Sequence, residues 1–144
     1  MYTTYSFLDL QGALTHPTAG SYNFNGEGIG DLSIEMLTDK TAHHVAADGP
    51  VMVSKIAGDN GHVTLNIQQT ADLHHWLLNA YNASKEGDTA DWAGIAAKFW
   101  NVVDGSMHTC RGGSFDKLGT KAYQKEGQMV VWKLWFADIQ NESV

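Results

Sequence analysis

The chain has 144 residues, 43% of them apolar and 17% charged, which suits one folded domain over residues 1–144 with its own core and excludes a disordered chain. Sixteen acidic residues against nine basic ones leave a formal net charge of −7, and no Lys/Arg run exists to grip a phosphate backbone. The single cysteine, Cys110, excludes an intrachain disulfide and a Cys-based zinc site, and a thiol in a strand with no base beside it reads as buried and inert.

The opening MYTTYSFLDLQG lacks the basic and apolar regions of a secretion signal. No apolar run nears the roughly 18 residues of a spanning helix, so a soluble chain with no membrane partner is expected. YSFLDLQGAL alternates Ser6, Leu8 and Leu10 with Phe7, Asp9 and Gln11 and predicts a first strand, followed by a Gly- and Asn-rich loop over residues 15–30. The glycines of GEGIG in that loop lead into an acidic strand and not into a helix N-terminus, so they make no phosphate cradle. In GDLSIEMLTDK, Leu32, Ile34 and Met36 alternate with Asp31, Ser33 and Glu35, a strand with one apolar and one acidic face. A solvated stripe explains Asp31, Glu35 and Asp39 better than a pair of catalytic carboxylates.

Two turn signals, Asp48-Gly49 and Asn60-Gly61, divide residues 31–69 into strand, turn, strand, turn, strand. Pro50 donates no ladder hydrogen bond, which places it at a projecting hairpin tip or on an edge. HVTLNIQQ follows, with Val63, Leu65 and Ile67 on one face and His62, Thr64, Asn66 and Gln68 on the other. Leu73, Trp76, Leu77, Ala80 and Tyr81 then fall on one helical stripe and predict a helix over about residues 71–82, capped by Thr70 or Asp72.

DWAGIAAKFW places Trp92, Ile95, Ala96 and Phe99 at helical spacing, yet Lys98–Val103 followed by DGS also reads as the first arm of a hairpin with MHTCRGGSF. The C-terminal part reads as strand, Gly-marked turn and strand. Its run MVVWKLWF is apolar on both faces apart from Lys133, so a core should cover one face and a helix or a neighbouring subunit the other. Together these elements predict a mainly β fold, an antiparallel β-sandwich or barrel with one flanking helix.

Two histidine pairs, His43/His44 and His74/His75, raise a metal site. Neighbours on a strand point to opposite faces and neighbours on a helix are about 100° apart, so each pair gives at most one ligand to a shared site. No cofactor is expected, and His74 and His75 read as the polar flank of their helix, at a contact surface. No nucleophile, acid/base pair or phosphate loop carries an enzyme.

The order YSFLDLQGAL, SIEMLTDK, AADGPVMVSKIAGDNGHVTLNIQQT, LHHWLLNAYN and CRGGSFDKLGTKAYQKEGQMVVWKLWFADI resembles the tail tube proteins of tailed bacteriophages, in particular a contractile-tailed group. Gly119 stands where that pattern leads one to expect Pro, and the two histidine pairs are not part of it. The resemblance implies a fold shared with the type VI secretion tube protein. It also implies hexameric rings stacked into a hollow tube that conducts DNA without specific binding, in a virion tail assembled in the host cytoplasm. Its implied partners are further copies of itself and the tail sheath, tape measure, baseplate and tail terminator proteins.

On that basis Asp31, Ser33, Glu35, Asn66 and Gln68 are expected to line the lumen. His43, His44, Asp48, Gly49, Pro50 and Val51, on a hairpin through Lys40–Lys55, are expected to touch the next ring. Leu73, Trp76, Leu77, Tyr81, Trp132 and Trp135 are expected to pack sheet and helix between subunits. The alternative is a small β-sandwich binding module for a carbohydrate or a His-held metal, with Trp92, Trp100, Trp132 and Trp135 as its aromatic platform.

Overall fold

A computed structural model of the chain describes residues 2–24 and 28–143. Among the described residues nine strands and one α-helix follow in chain order: β1 Leu10–His16, β2 Gly20–Phe24, β3 Ile29–Met36, β4 Thr41–Val45, β5 Val51–Lys55, β6 Gly61–Gln68, α1 Asp72–Glu86, β7 Ile95–Asn101, β8 Met107–Phe115 and β9 Met129–Glu142. Seven strands form one antiparallel sheet in the order β2-β1-β7-β8-β9-β6-β3, which curls into a half-barrel. β4 and β5 pair only with each other and stand apart as a hairpin.

Alternation decides which side of the sheet is covered. Val63, Leu65 and Ile67 of β6 and Val130, Trp132, Leu134 and Phe136 of β9 all point into one core, joined by Leu14, Phe99 and Phe115. α1 closes that core with Leu73, Leu77 and Ala80, each fully buried. The helix runs beyond the expected residues 71–82 because Ser84, one turn past Ala80, is also buried on the sheet side. Its first N–H groups receive no side chain: the N-cap is Ala71, and neither Thr70 nor Asp72 provides a side-chain cap.

β9 ties the halves of the sheet together. Residues 129–136 pair with β6 and residues 134–142 with β8, so two partners share one fourteen-residue strand. Its inward set changes phase between Phe136 and Ile139, and in register with this the inward set of β8 changes between Cys110 and Gly113. Gly112 sits at that break with φ of +65°, a conformation that side chains rarely adopt. The β7–β8 pairing also slips there, between Ile95 and Ala97, so the sheet bends where glycine lets it.

Several sequence expectations change. The first strand begins only at Leu10, because the Ser6 hydroxyl accepts the Leu8 N–H and turns residues 7–9 into a 3-10 helix. Residues 15–30 contain β2, folded back on β1 by a turn in which His16 Nδ1 accepts the N–H groups of Thr18 and Ala19 at 3.1 Å each. Residues 25–27, with part of GEGIG, lie outside the described residues. Of the two readings of residues 92–103 the hairpin holds and the helix does not: β7 pairs with β8 from Ile95, and only Thr89–Asp91 are helical, as a single 3-10 turn. Asn60-Gly61 makes no tight hairpin turn, since β6 returns to pair with β3 and β9 and the positive φ falls on Gly58.

Leu77 is fully buried between helix and sheet. Leu77→Ala is expected to cost about 2–5 kcal/mol of unfolding free energy by denaturant titration, from lost transfer energy and a cavity that curled strands cannot fill.

Candidate assembly surfaces

Three surfaces remain once the core is closed. The first is the uncovered face of the sheet, where Asp31, Ser33 and Glu35 stand exposed on the edge strand β3. In register across β6 and β9 they continue as Asp31–Asn66–Val131, Ser33–Thr64–Lys133 and Glu35–His62–Trp135, with Gln68 opposite Met129. Asn66 Nδ2 reaches Asp31 Oδ2 at 3.5 Å, and His62 Nε2 lies 3.3 Å from Glu35 Oε2. Trp135 donates to Asp116 Oδ1 at 3.0 Å while Lys133 lies over its ring. The five lumen candidates therefore share one face, acidic at the β3 edge and apolar along β9, where Val131 is 51% and Trp135 40% exposed.

Residues 116–128 cross from β8 to β9 without regular structure, and their first part lies against the unpaired edge of residues 129–133. Asp116 N–H donates to the Lys133 carbonyl and Gln69 Nε2 to the Ala122 carbonyl. Any Cβ at position 119 would overlap the Val131 carbonyl oxygen, so Gly119 is required by close approach to β9.

The second surface is the β4–β5 hairpin. Paired 41↔55 through 45↔51, it places Val45, Val51 and Val53 beside His43 on one face and His44 and Met52 on the other. The three valines are 50–63% exposed, an apolar patch unusual for a hairpin with nothing behind it. Asp48 and Gly49 form the tip, Gly49 with φ of +108°, and Pro50 offers its carbonyl to Ala46 N–H. At the base Lys40 bonds the Gly58 carbonyl and, at 2.6 Å, Asp59. The Lys40 hydrogen bond, and then that of Gln140, hold the Asp59 carboxyl below its ordinary range.

The third surface is the pair of sheet edges, β2 and β3, neither paired with a further strand among the described residues. The edges differ: β3 carries Asp31 and Glu35, whereas β2 offers Ser21 and Asn23.

Residues expected to pack between subunits divide in two. Leu73, Leu77 and Trp132 are fully buried in the chain's own core, while Trp76 and Tyr81 are half-buried and Trp135 is exposed, so only these three keep surface for a neighbour. His74 corrects the expectation of a polar helix flank. It is 1% exposed, and its Nδ1 accepts the indole N–H of Trp132 at 3.0 Å; His75 alone faces solvent. Sequence reasoning also missed His16, 2% exposed, whose Nε2 meets Ser84 Oγ at 2.7 Å. It falls in the loop expected over residues 15–30, and only the extension of β1 to residue 16 turns it inward.

Among the described residues no group of three His, Cys, Asp or Glu side chains could hold a metal. Cys110 is fully buried, and burial, with Asp138 adding to it, pushes its thiol up to about 12. No helix among the described residues is long and apolar enough to cross a membrane.

A half-barrel sheet with two open edges, one covering helix and a projecting hairpin recurs as a fold in solved structures. The chain superposes with TM-score 0.64 on a chain of the PVC sheath/tube terminator structure of an extracellular contractile injection system in its extended state, at 8% identity over 99% of this chain and 98% of that one. It matches the tube-terminating cap of the anti-feeding prophage with TM-score 0.62, at 8% identity over 100% and 93%. It also matches a chain of the PVC sheath–tube complex in its extended state with TM-score 0.56, at 9% identity over 92% and 88%. No curated protein matches the chain in sequence. The family model of the bacteriophage PhiTE tail tube protein matches residues 2–143, and the chain belongs to that family, as a structural subunit of a phage tail tube.

The two adjacent helix histidines should separate cleanly. His74→Ala leaves the Trp132 indole without its acceptor and is expected to cost about 1–3 kcal/mol in thermal or denaturant unfolding, whereas His75→Ala should stay within about 0.5 kcal/mol of the parent.

Proposed function

We propose that copies of this chain close into a hexameric ring by joining the β2 edge of one copy to the β3 edge of the next. Such rings stack through the β4–β5 hairpin into a hollow tube that conducts DNA during ejection. The observation that carries this reading is the pair of unlike open edges on one curled sheet. An exposed edge is a template for another strand. The carboxylates Asp31 and Glu35 on β3 disfavour pairing that edge with itself, and a head-to-tail joint between unlike edges generates a closed ring when its rotation closes. The 6-fold symmetrised baseplate of the anti-feeding prophage, which the chain matches with TM-score 0.56 at 9% identity, supports six copies.

In this arrangement the uncovered face of β3 and β6 lines the channel through Asp31, Ser33, Glu35, Asn66 and Gln68. An acidic, polar wall in a chain of net charge −7 repels phosphate and lets DNA slide. His43, His44, Asp48, Gly49, Pro50 and Val51 seat the hairpin on the next ring, where its valine face gains the cover it lacks on a single copy. Trp76, Tyr81 and Trp135 are the packing residues left for lateral neighbours. Tail sheath, tail terminator and baseplate proteins are the further partners suggested by the sheath–tube, terminator and baseplate assemblies of the matched structures, and a tape measure protein by the family resemblance. The chain acts without catalysis or cofactor, in a virion tail assembled in the host cytoplasm.

Electron microscopy of the purified chain tests both contacts. Rings with a central hole that lengthen into tubes are expected, and deleting residues 43–52 should leave rings that no longer stack. Normal tubes from the deletion would refute the hairpin's role, and a monodisperse monomer at high concentration would refute the ring. Asp31→Lys with Glu35→Lys should convert tubes that ignore DNA into tubes that retain it at low salt and release it as salt rises; unchanged retention would remove both residues from the channel wall.

A further inference from the structure

Two histidines neglected by any assembly role join α1 to the sheet at its opposite ends, through His74 and Ser84 of the helix, ten residues apart or about 15 Å. Near its start His74 is 1% exposed and accepts the Trp132 indole N–H of β9 through Nδ1. Near its end Ser84 Oγ meets Nε2 of His16, 2% exposed on β1. Both contacts bridge helix and sheet, and they do so at different strands of the same sheet.

Hydrogen bonding fixes the protonation of each ring. An indole nitrogen only donates, so His74 Nδ1 carries no proton, and the neutral ring holds its hydrogen on Nε2. The backbone N–H groups of Thr18 and Ala19 both point at His16 Nδ1, so its hydrogen also lies on Nε2 and is donated to Ser84. In each case the second proton of an imidazolium must go onto the nitrogen already accepting. It would break the Trp132 bond at one end of α1 and the β1–β2 turn bonds at the other. It would also place a charge where water is excluded.

We propose that α1 is a proton-sensitive cover, held on the sheet at both ends by histidines that dock only when neutral, and that acid lifts it before the strands separate. The surroundings decide how strongly each end responds. The groups facing His74 are cationic or neutral: Lys121 from the segment after β8, His75 from α1 itself and the Trp132 ring; none compensates an imidazolium. His74 Nε2 has no hydrogen-bond partner among the described residues, so that end is also the less satisfied when neutral. At His16 the Asp91 carboxylate favours the charged form and partly offsets burial. Burial first, with Lys121 and His75 adding to it at His74, lowers both rings below the ordinary value of 6.5. The third buried histidine, His62, faces the Glu35 carboxylate at 3.3 Å and belongs to the other face of the sheet, so it takes no part.

The sign of the effect follows. A ring whose docked pKa lies below its free value stabilises docking fully above pH 6.5, and that contribution is lost as pH falls below 6.5 towards the depressed value. Two such rings give up to about a hundredfold more of the open form per pH unit inside that window. Amide hydrogen exchange of the intact chain between pH 7.5 and 5, corrected for the intrinsic rate, should show residues 73–86 losing protection with this slope while β6 and β9 keep theirs. In the double variant His16→Asn, His74→Asn, where an amide oxygen replaces each accepting nitrogen, the slope should vanish. A pH-independent α1, simultaneous loss in α1 and the strands, or an unchanged slope in the double variant would each overturn the proposal. Should that variant not fold, NMR titration of the parent's imidazoles decides it: both must be neutral with the proton on Nε2 at pH 7, and a charged His74 at pH 6.5 ends the idea.

Discussion

Trp132 is the contact on which the rest of the fold depends. It lies midway along the part of β9 that pairs with β6, fully buried, with Tyr81 and Phe115 packed edge-on to its ring and His74 against its indole nitrogen. Strand, helix and neighbouring strand thus meet at one side chain. An indole carries a large apolar area together with one donor that burial must satisfy, so a core centred on it needs an acceptor at a defined place on the covering element. The chain provides that acceptor from α1, which fixes the helix in register with the sheet in a way that leucine packing alone would leave looser.

The same constraint explains why the two faces of the sheet differ so much. With α1, Trp132 and the aliphatic set of β6 filling one side of the sheet, the opposite face receives no covering element from the described residues. It is left as a row of carboxylates on β3, amides and hydroxyls on β6, and apolar side chains on β9. A monomer would gain little from such a face. A subunit whose neighbours continue the sheet gains a wall, and the apolar stretch of β9 lies next to the 116–122 segment, where it is partly shielded without being filled.

How much of this was legible in the residues depended on whether a local rule or a tertiary contact was in control. The alternation in GDLSIEMLTDK and HVTLNIQQ placed β3, β6 and their polar face, and the helical stripe at Leu73/Leu77/Ala80 placed α1, because period alone separates inside from outside there. β2 was hidden because four residues between glycine and asparagine carry too short a pattern, and its strand character comes from pairing with β1. Residues 92–101 were ambiguous because Ile95, Ala97 and Phe99 satisfy a strand while Trp92, Ile95, Ala96 and Phe99 satisfy a helix; the ladder to β8 settles it. His74 was misplaced for a different reason. A helix wheel assigns imidazole to the polar flank by type, and only the long-range partner on β9, 58 residues away, turns it inward.

In the proposed assembly, the hairpin and the helix histidines place stacking and subunit shape under different controls. β4 and β5 make no ladder with the main sheet, and an isolated two-stranded hairpin is marginal in water, so its order rests on the Lys40–Asp59 clamp at its base and on whatever covers Val45, Val51 and Val53. In the proposed stacking, changing that contact alters how copies meet and leaves the core untouched. α1 is the reverse case. It packs on β1, β2, β8 and β9 through Ser84–His16, Trp76–Tyr22, Tyr81–Phe115 and His74–Trp132, and so braces the curl of the sheet up to the β2 edge. In the proposed ring, a subunit that loosened its helix would keep its ladders and lose the brace for the curvature that brings unlike edges together. On that proposal the histidines act on assembly through the shape of the subunit, and the hairpin through its surface.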